Sequence, residues 1–166
     1  LKMGEIVGDL LSDQVIHGGA DAVQVFDTWA GLLSPETYRE FAMPATAKAI
    51  AIFREKVGND VPLIHYAKGS GHLHGDIRNL DLNAISLDWR DNLAVNRENF
   101  GDKFAFQGNL DPSLLHGSTE MAKLATRKVL SEAGNKPGHI FNLGHGFAPS
   151  ARIECVETVL REIVGE

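Results

Sequence analysis

The feature that most constrains the fold is a unit that occurs five times along the chain: a short apolar segment, a polar loop and a helical stretch. The apolar segments are residues 22–26, 61–66, 84–87, 104–107 and 139–142. Nearly all of their residues are apolar, which is typical of strands that are buried on both faces. Because such strands alternate with helices, the sequence predicts an α/β fold with a parallel sheet.

The helical stretches have recognisable ends. Ser34 followed by Pro35 is a typical helix start, since the serine can cap the helix and proline is tolerated at its first position. Gly58 and Gly134 are typical helix ends. Beyond the start at Ser34, the spacing of apolar residues predicts helices over 1–16, 44–57, 72–80, 91–100, 121–133 and 153–164.

Composition excludes several classes of protein. Hydrophobic residues make up 43% of the 166 residues and charged residues 23%, the balance of an ordinary globular protein. The formal net charge of −6 lacks the basic footprint of a nucleic-acid-binding protein, and every apolar run is too short to span a membrane. We therefore expect a protein that binds neither nucleic acid nor membrane. Because the single cysteine, Cys155, cannot form an internal disulfide, we also expect a cytoplasmic location.

Two α/β architectures fit this alternation, an open doubly wound sheet and a β/α barrel. A dinucleotide-binding sheet needs a third glycine after a pair such as Gly69 and Gly71, and the required spacing fails here. In a barrel, unusual residues are expected in the loops that directly follow the strands, because the active face is built there. The chain has them there, at 27–29, 68–69, 88–90, 107–109 and 144–146, so we favour the barrel.

His145 is the strongest single candidate for a functional residue. It lies between two glycines at the end of the last predicted strand, where its ring has room and the backbone can take unusual angles. A histidine in this place can donate a proton or bind an anionic group. The alternative is a histidine that merely caps a loop.

Three further residues follow predicted strands and could bind an anionic substrate. Thr28 has a hydroxyl that can bind a carboxylate or orient water, although the same residue type also forms turns. Lys68 and Arg90 would add positive charge to the active face. Either cation could instead pair with Asp27 or Asp88.

A metal site is not predicted, although the chain has seven histidines. His72 and His74 are two residues apart, which places them on different faces of a helix. A zinc site needs three or four convergent ligands, and the only thiol, Cys155, has small or apolar neighbours at helical spacing. We therefore expect Cys155 to pack in the core.

Taken together, the motifs after the strands resemble the C-terminal portion of the uroporphyrinogen decarboxylase family. The motifs occur in order as Phe26-Asp27-Thr28-Trp29-Ala30-Gly31, Ala67-Lys68-Gly69 with His72, Leu87-Asp88-Trp89, Gln107-Gly108-Asn109-Leu110-Asp111-Pro112 and Asn142-Leu143-Gly144-His145-Gly146. Each motif alone is weak, whereas five in this order are specific. The resemblance runs from about Gly18 to the end of the chain, and the preceding helix also fits.

The resemblance implies a carboxy-lyase of heme and porphyrin biosynthesis. Members of the family are single β/α barrels that form homodimers and use no metal or organic cofactor. They convert the four acetate side chains of a tetrapyrrole, uroporphyrinogen III, to methyl groups, which gives coproporphyrinogen III. The active-site histidine of the family corresponds to His145, and its serine or other hydroxyl residue corresponds to Thr28. The eight carboxylates of the substrate would give Thr28, Lys68, Arg90 and His145 a binding role.

Five strand–helix units correspond to strands four to eight of an eight-stranded barrel. We therefore expect residues 1–166 to be the C-terminal part of one barrel domain. The family's key aspartate, its arginines and its tyrosine lie in an earlier part of the barrel, so we expect the isolated chain to be inactive. Two alternatives are a related methyltransferase that uses a corrinoid or zinc, and a non-catalytic half-barrel that binds a tetrapyrrole.

Overall fold

The computed structural model describes residues 1–165 and divides into two compact units, Leu1–Ile85 and Ser86–Glu166. The strand β3 (Ala84–Ser86) contains the boundary. The first unit also contains α1 (Lys2–Ile16), β1 (Val23–Phe26), α2 (Pro35–Thr37), α3 (Met43–Val57), β2 (Leu63–Tyr66) and α4 (His74–Ile77). The second contains α5 (Leu93–Phe100), β4 (Ala105–Gln107), α6 (Thr119–Ala133), β5 (His139–Ile140) and α7 (Ile153–Val164).

In the first unit the strands are ordered β1-β2-β3. β1 and β2 are parallel, with Val23 opposite Leu63 and Val25 opposite His65. All four residues of β2 are buried, as expected for a strand that is covered on both faces. The predicted parallel sheet is therefore confirmed for this pair.

Helices α1 and α3 pack closely because α1 has glycines at the contact. A Cβ atom on Gly8 would lie 2.8 Å from the Ala49 carbonyl oxygen and 2.8 Å from the Ile52 Cβ. Both distances are shorter than van der Waals contact, so only glycine allows this separation. This contact was not predictable from the sequence, because a glycine inside a helix usually only weakens the helix.

The predicted helix start at Ser34 is confirmed. The Ser34 hydroxyl accepts a hydrogen bond from the Thr37 backbone N–H at 3.2 Å, and Pro35 is the first residue of α2. A π-helical turn over Tyr38–Ala42 joins α2 to α3, so the two predicted helical segments form one helical run. The buried Tyr38 lies in this turn.

The helix predicted over 72–80 is wrong in extent. The structure has a 3-10 turn at Gly71–Leu73, followed by the single-turn helix α4. This segment contains Gly71, Gly75 and Asn79, and glycine and asparagine are poor helix formers. The apolar residues that suggested the helix, including Ile77 and Leu80, are buried from a less regular backbone.

In the second unit the strands are ordered β3-β4-β5. β4 and β5 are parallel, with Phe106 opposite His139 and Gln107 opposite Ile140. The segment predicted as a strand over 139–142 has only two strand residues, because the Asn142 side chain accepts a hydrogen bond from the Leu143 N–H and begins a turn. Pairing nevertheless continues in part, since the Leu110 N–H donates to the Asn142 carbonyl.

Helices α6 and α7 pack against each other in the second unit, and α7 has the predicted bounds. Cys155 on α7 is completely buried, and its Sγ lies 3.6 Å from the Gly117 carbonyl oxygen. The predicted packing role of Cys155 is therefore confirmed. Within residues 1–165, no helix combines the length and the apolar composition that a membrane-spanning segment requires.

Candidate active site

The four predicted site residues all lie just after strands, two in each unit. Thr28 follows β1 and Lys68 follows β2 in the first unit, and both are half-buried. Gly31 lies against the carbonyl of Lys68 so closely that a Cβ atom could not be placed there. The loop after β1 therefore packs directly on the loop after β2. Arg90 follows β3 and His145 follows β5 in the second unit.

Arg90 pairs with Asp88, which is one of the two arrangements that the sequence left open. The Arg90 Nε and Nη2 atoms each donate to a different Asp88 carboxylate oxygen at 2.7 Å, and the Arg90 backbone N–H donates at 2.9 Å. Asp88 is completely buried, whereas 55% of the Arg90 side chain is exposed. One edge of the guanidinium is thus bound to a buried carboxylate, and the side chain still reaches solvent.

Trp89 contacts both predicted site residues of this unit. The Arg90 Cζ lies 4.7 Å from the centroid of the Trp89 ring, a distance typical of a cation–π interaction. The centroid of the His145 ring lies 6.3 Å from that of Trp89, with 33° between the ring planes. The structure therefore brings Arg90 and His145 to the same indole. Trp89 was expected only as a loop residue, so its role in joining them is new.

The glycine before His145 provides space rather than an unusual backbone conformation. A Cβ atom on Gly144 would overlap the Trp89 backbone, and the Gly144 N–H donates to the Leu110 carbonyl at 2.8 Å. Neither Gly144 nor Gly146 has a positive φ angle, so the expectation of unusual angles beside His145 is wrong. The close approach of two backbones explains Gly144.

Asn109 fixes the loop that carries Arg90, a role that the sequence did not reveal. Its side-chain Nδ2 donates to the Asp88 carbonyl at 2.9 Å and to the Asp91 carbonyl at 2.7 Å. Asn109 is 95% buried, with 5% of its surface exposed. The sequence feature that could have indicated this role is the amide-rich segment 107–109 at the end of β4. Buried amide side chains commonly form hydrogen bonds with the backbone groups of loops.

His139 on β5 forms a contact from the strand to the segment before Asn109. Its Nε2 donates to the Gly108 carbonyl oxygen at 2.7 Å. Burial lowers the pKa of His139 below its ordinary value, and the positive charge of Arg97 acts in the same direction, while the hydrogen bond to Gly108 opposes both. His139 is therefore held in place by the carbonyl rather than by an acidic partner.

Asp27, next to Thr28, is a carboxyl group whose pKa is shifted by its surroundings. Burial raises the pKa of Asp27, and a hydrogen bond from Thr46 partly opposes this effect. The Asp27 Oδ2 and the Tyr38 hydroxyl are buried without a hydrogen-bond partner among the described residues. Burial, together with the charges of Asp27 and Asp76, raises the pKa of Tyr38 above its usual range. The sequence suggested Asp27 as a turn former or as a partner of Lys68 or Arg90.

The first unit has a cavity of about 580 Å³ between α1, β1 and α3. Most of its lining is apolar, including Val7, Leu11 and Val25, and Asp27 and Thr46 are among its polar members. Thr28 and Lys68 are not among the described residues that line it. The cavity is therefore lined by residues of α1, β1 and α3, and by Asp27, rather than by the predicted substrate-binding residues.

The two closely spaced histidines have different surroundings, as predicted. His72 is exposed, and its Nε2 donates to the Leu33 carbonyl at 2.8 Å. His74 is buried, with its Nε2 3.4 Å from the Ser70 hydroxyl. Among residues 1–165 there is no group of three or more His, Cys, Asp and Glu side chains that could hold a metal ion.

Comparison with known proteins agrees with the sequence resemblance. A structure described as a methyltransferase from Methanosarcina mazei superposes with a TM-score of 0.80 at 20% sequence identity, covering 98% of this chain and 47% of that one. A likeness at this identity shows the fold alone, and it confirms the predicted fold class.

Curated relatives give the family. The chain is 40% identical to uroporphyrinogen decarboxylase from Magnetococcus marinus over 99% of its own length and 47% of the relative. It is 42% identical to the enzyme of the same name from Thioalkalivibrio sulfidiphilus over 89% of its length and 42% of the relative. The chain thus spans about half the length of the curated relatives that it matches. Since the family model for uroporphyrinogen decarboxylase (URO-D) also matches residues 2–164, the chain belongs to the uroporphyrinogen decarboxylase family.

Proposed function

We propose that residues 1–166 form the C-terminal part of a single uroporphyrinogen decarboxylase barrel and supply part of its active site. The activity is the decarboxylation of the four acetate side chains of uroporphyrinogen, which gives coproporphyrinogen. The observation that supports this most directly is the array in which Trp89 contacts both Arg90, in the loop after β3, and His145, in the loop after β5. In this array Arg90 supplies a positive charge that is held in place, and His145 supplies an imidazole that can exchange protons. Both groups suit a substrate that carries carboxylates.

The reaction consumes one proton for each carbon dioxide released and needs no electron donor or acceptor. A proton added to a pyrrole carbon turns the ring into an electron acceptor. The bond between the acetate CH2 and its carboxylate then breaks, its electron pair enters the ring, and carbon dioxide leaves. The resulting methylene takes up a proton to become a methyl group, and the ring loses the proton that it first gained. Neither a metal nor an organic cofactor has a role in this sequence.

We assign binding and proton-transfer roles to the four residues of this chain. His145 contacts a substrate carboxylate and takes part in proton transfer. Arg90, whose side chain is 55% exposed, binds a second carboxylate with its positive charge. Thr28 and Lys68, at the ends of β1 and β2, contribute a hydroxyl donor and a further positive charge. The other groups of the family's site are supplied by the part of the relatives that this chain does not cover.

The whole protein is proposed to be a cytoplasmic homodimer that binds no nucleic acid. The net charge of −6 agrees with the last point, because binding to nucleic acid is dominated by positive charge. The substrate itself is highly anionic, so the local charges of Lys68 and Arg90 matter more than the total.

The proposal is tested by supplying the part that the chain lacks. The chain is co-produced with the portion of the Magnetococcus marinus relative that it does not cover, and the purified pair is assayed for coproporphyrinogen. We expect the pair to copurify and to be active, whereas each part alone is inactive. Failure to copurify would contradict the barrel assignment.

The His145→Gln variant of the pair separates activity from assembly. We expect it to copurify and to lose at least about a hundredfold in rate, the lower end of general acid–base contributions. An assembled but inactive wild-type pair would contradict the assigned activity, and tight binding of uroporphyrin I by that pair would instead favour a non-catalytic tetrapyrrole-binding role.

A further inference from the structure

Asp88 determines the orientation of Arg90. It is a completely buried carboxylate, and both of its oxygens accept hydrogen bonds from the Arg90 guanidinium at 2.7 Å. A planar guanidinium that is bound through one edge to a rigid carboxylate has little freedom to rotate. The plane of Arg90 is therefore set before any ligand arrives.

The main chain around Asp88 is itself fixed. Asn109 donates to the carbonyls of Asp88 and Asp91, and the Asp91 N–H donates to the Asp88 carbonyl at 3.1 Å. Because Asn109 is buried, water cannot readily replace these hydrogen bonds. The loop cannot reorient Asp88 without leaving buried carbonyls unpaired.

Trp89 connects the oriented guanidinium to His145. The Arg90 Cζ lies 4.7 Å from the centroid of the Trp89 ring, and the centroid of the His145 ring lies 6.3 Å from that of Trp89. The backbone of Trp89 is also in close contact with Gly144, the residue before His145. The loops after β3 and β5 are thus aligned through one aromatic residue.

We propose that Asp88 and Trp89 are positioning residues that hold Arg90 and His145 as a preformed pair of groups for substrate carboxylates. The identity of the ligand rests on the proposed function, whereas the arrangement itself exists without ligand. Preformed groups bind more tightly because less ordering is needed when the ligand arrives. Neither Asp88 nor Trp89 needs to exchange protons with the substrate in this role.

The contact between Trp89 and His145 is tested by fluorescence in the isolated chain. The chain has two tryptophans, so Trp29→Phe leaves Trp89 as the only indole. We expect its emission to change in one step as His145 gains a proton. The step should vanish when His145→Gln is added and should persist with the control His116→Gln, since His116 is exposed in another loop of the same unit. A step that survives His145→Gln would overturn the contact.

The orientation of Arg90 is tested by NMR of its side chain. In the wild-type chain we expect a resolved Nε–H signal and upfield ring-current shifts of the Arg90 side-chain protons. Asp88→Asn should abolish both while most backbone amide signals stay unchanged. Arg90→Lys, at an exposed position, should lose the ring-current shift without affecting the fold. Absence of the shift in the wild-type chain, or its persistence in Asp88→Asn, would overturn the role of Asp88.

The consequence for substrate is measured in the copurified pair with uroporphyrinogen. Because Asp88 acts through a binding group, Asp88→Asn should raise KM about tenfold, the effect of one charge-assisted hydrogen bond, and change kcat much less. A general structural defect would instead reduce the fraction of enzyme that is active, which lowers the apparent kcat and leaves KM unchanged. That result would overturn the proposal. If the pair is inactive, the proposed function fails while the ligand-free spectra still decide the positioning role.

Discussion

Gly144 lies against the main chain of Trp89 more closely than any other residue type could. A Cβ atom at Gly144 would be 2.7 Å from the Trp89 Cα and 2.8 Å from the Trp89 Cβ. Contacts of this length between carbon atoms are strongly repulsive. The loop that carries His145 can therefore reach the loop that carries Arg90 only because residue 144 has no side chain.

Gly144→Ala is expected to separate these two loops. The added methyl group must displace the Trp89 backbone, and overpacking of this kind costs about 2 kcal/mol of unfolding free energy. Urea unfolding of the chain measures the loss, and Trp89 fluorescence in the Trp29→Phe background measures the lost contact with His145. Gly146→Ala is the matched control, because a Cβ atom there meets nothing within 4 Å. Equal stability of the two variants would contradict the packing role of Gly144.

Asn109→Ala is expected to destabilise the loop over residues 88–91. The substitution removes the Asn109 amide donor from two carbonyls, those of Asp88 and Asp91, of which the Asp88 carbonyl keeps its hydrogen bond from the Asp91 N–H. The expected loss is about 2 kcal/mol, as measured by urea unfolding. Asn142→Ala serves as the control. The exposed Asn142 side chain accepts a hydrogen bond from the next residue, Leu143, so its loss should cost less than about 1 kcal/mol. A smaller loss for Asn109→Ala than for Asn142→Ala would refute this role.

The parts of the fold that the sequence predicted depend on local chemistry. The strands and most helices follow from runs of apolar residues and from caps such as Ser34, which interact with residues only a few positions away. The contacts of Asp88 with Arg90 are also local, and the sequence left that pairing open. The role of Asn109 was not predictable, because its partners belong to a different loop. The interactions of Asp27 with Thr46 and Tyr38 were likewise not predictable, because only the packing of α3 and the π-helical turn brings these residues near.

Gly8→Ala tests whether helix packing outweighs helix propensity in α1. In an exposed helix, alanine is about 1 kcal/mol more favourable than glycine. At Gly8 the new methyl group would meet the Ala49 carbonyl and the Ile52 side chain, so we expect a net destabilisation of about 1 kcal/mol. Gly75→Ala in α4 is the control, because nothing lies within 4 Å of a Cβ atom there, and it should leave stability unchanged or raise it. Thermal unfolding of both variants gives the sign, and stabilisation by Gly8→Ala would contradict the close packing of α1 on α3.

The buried His65 side chain is expected to make the unfolding free energy of the chain sensitive to acid. Its side chain is completely buried on β2, and neither ring nitrogen has a hydrogen-bond partner among the described residues. Burial, and secondarily the charge of His74, lowers the pKa of His65 from 6.5 to about 4. The folded chain therefore keeps His65 neutral over a range in which the unfolded chain takes up a proton.

Since the unfolded state binds more protons between pH 6.5 and 4, His65 makes the chain progressively less stable as pH falls through that window. The loss reaches at most about 3 kcal/mol near pH 4 and is absent above pH 6.5. His65→Leu removes the titrating group, so its stability relative to the wild-type chain should rise as pH falls. Urea unfolding at about pH 7.5, 6 and 5, on either side of the unperturbed histidine pKa, measures this difference. The exposed His17→Gln variant is the control and should keep the wild-type pH dependence. A constant difference between wild type and His65→Leu across that range would mean that His65 takes up a proton as readily in the folded chain as in the unfolded chain, and hence that the core around β2 admits water or a hydrogen-bond partner.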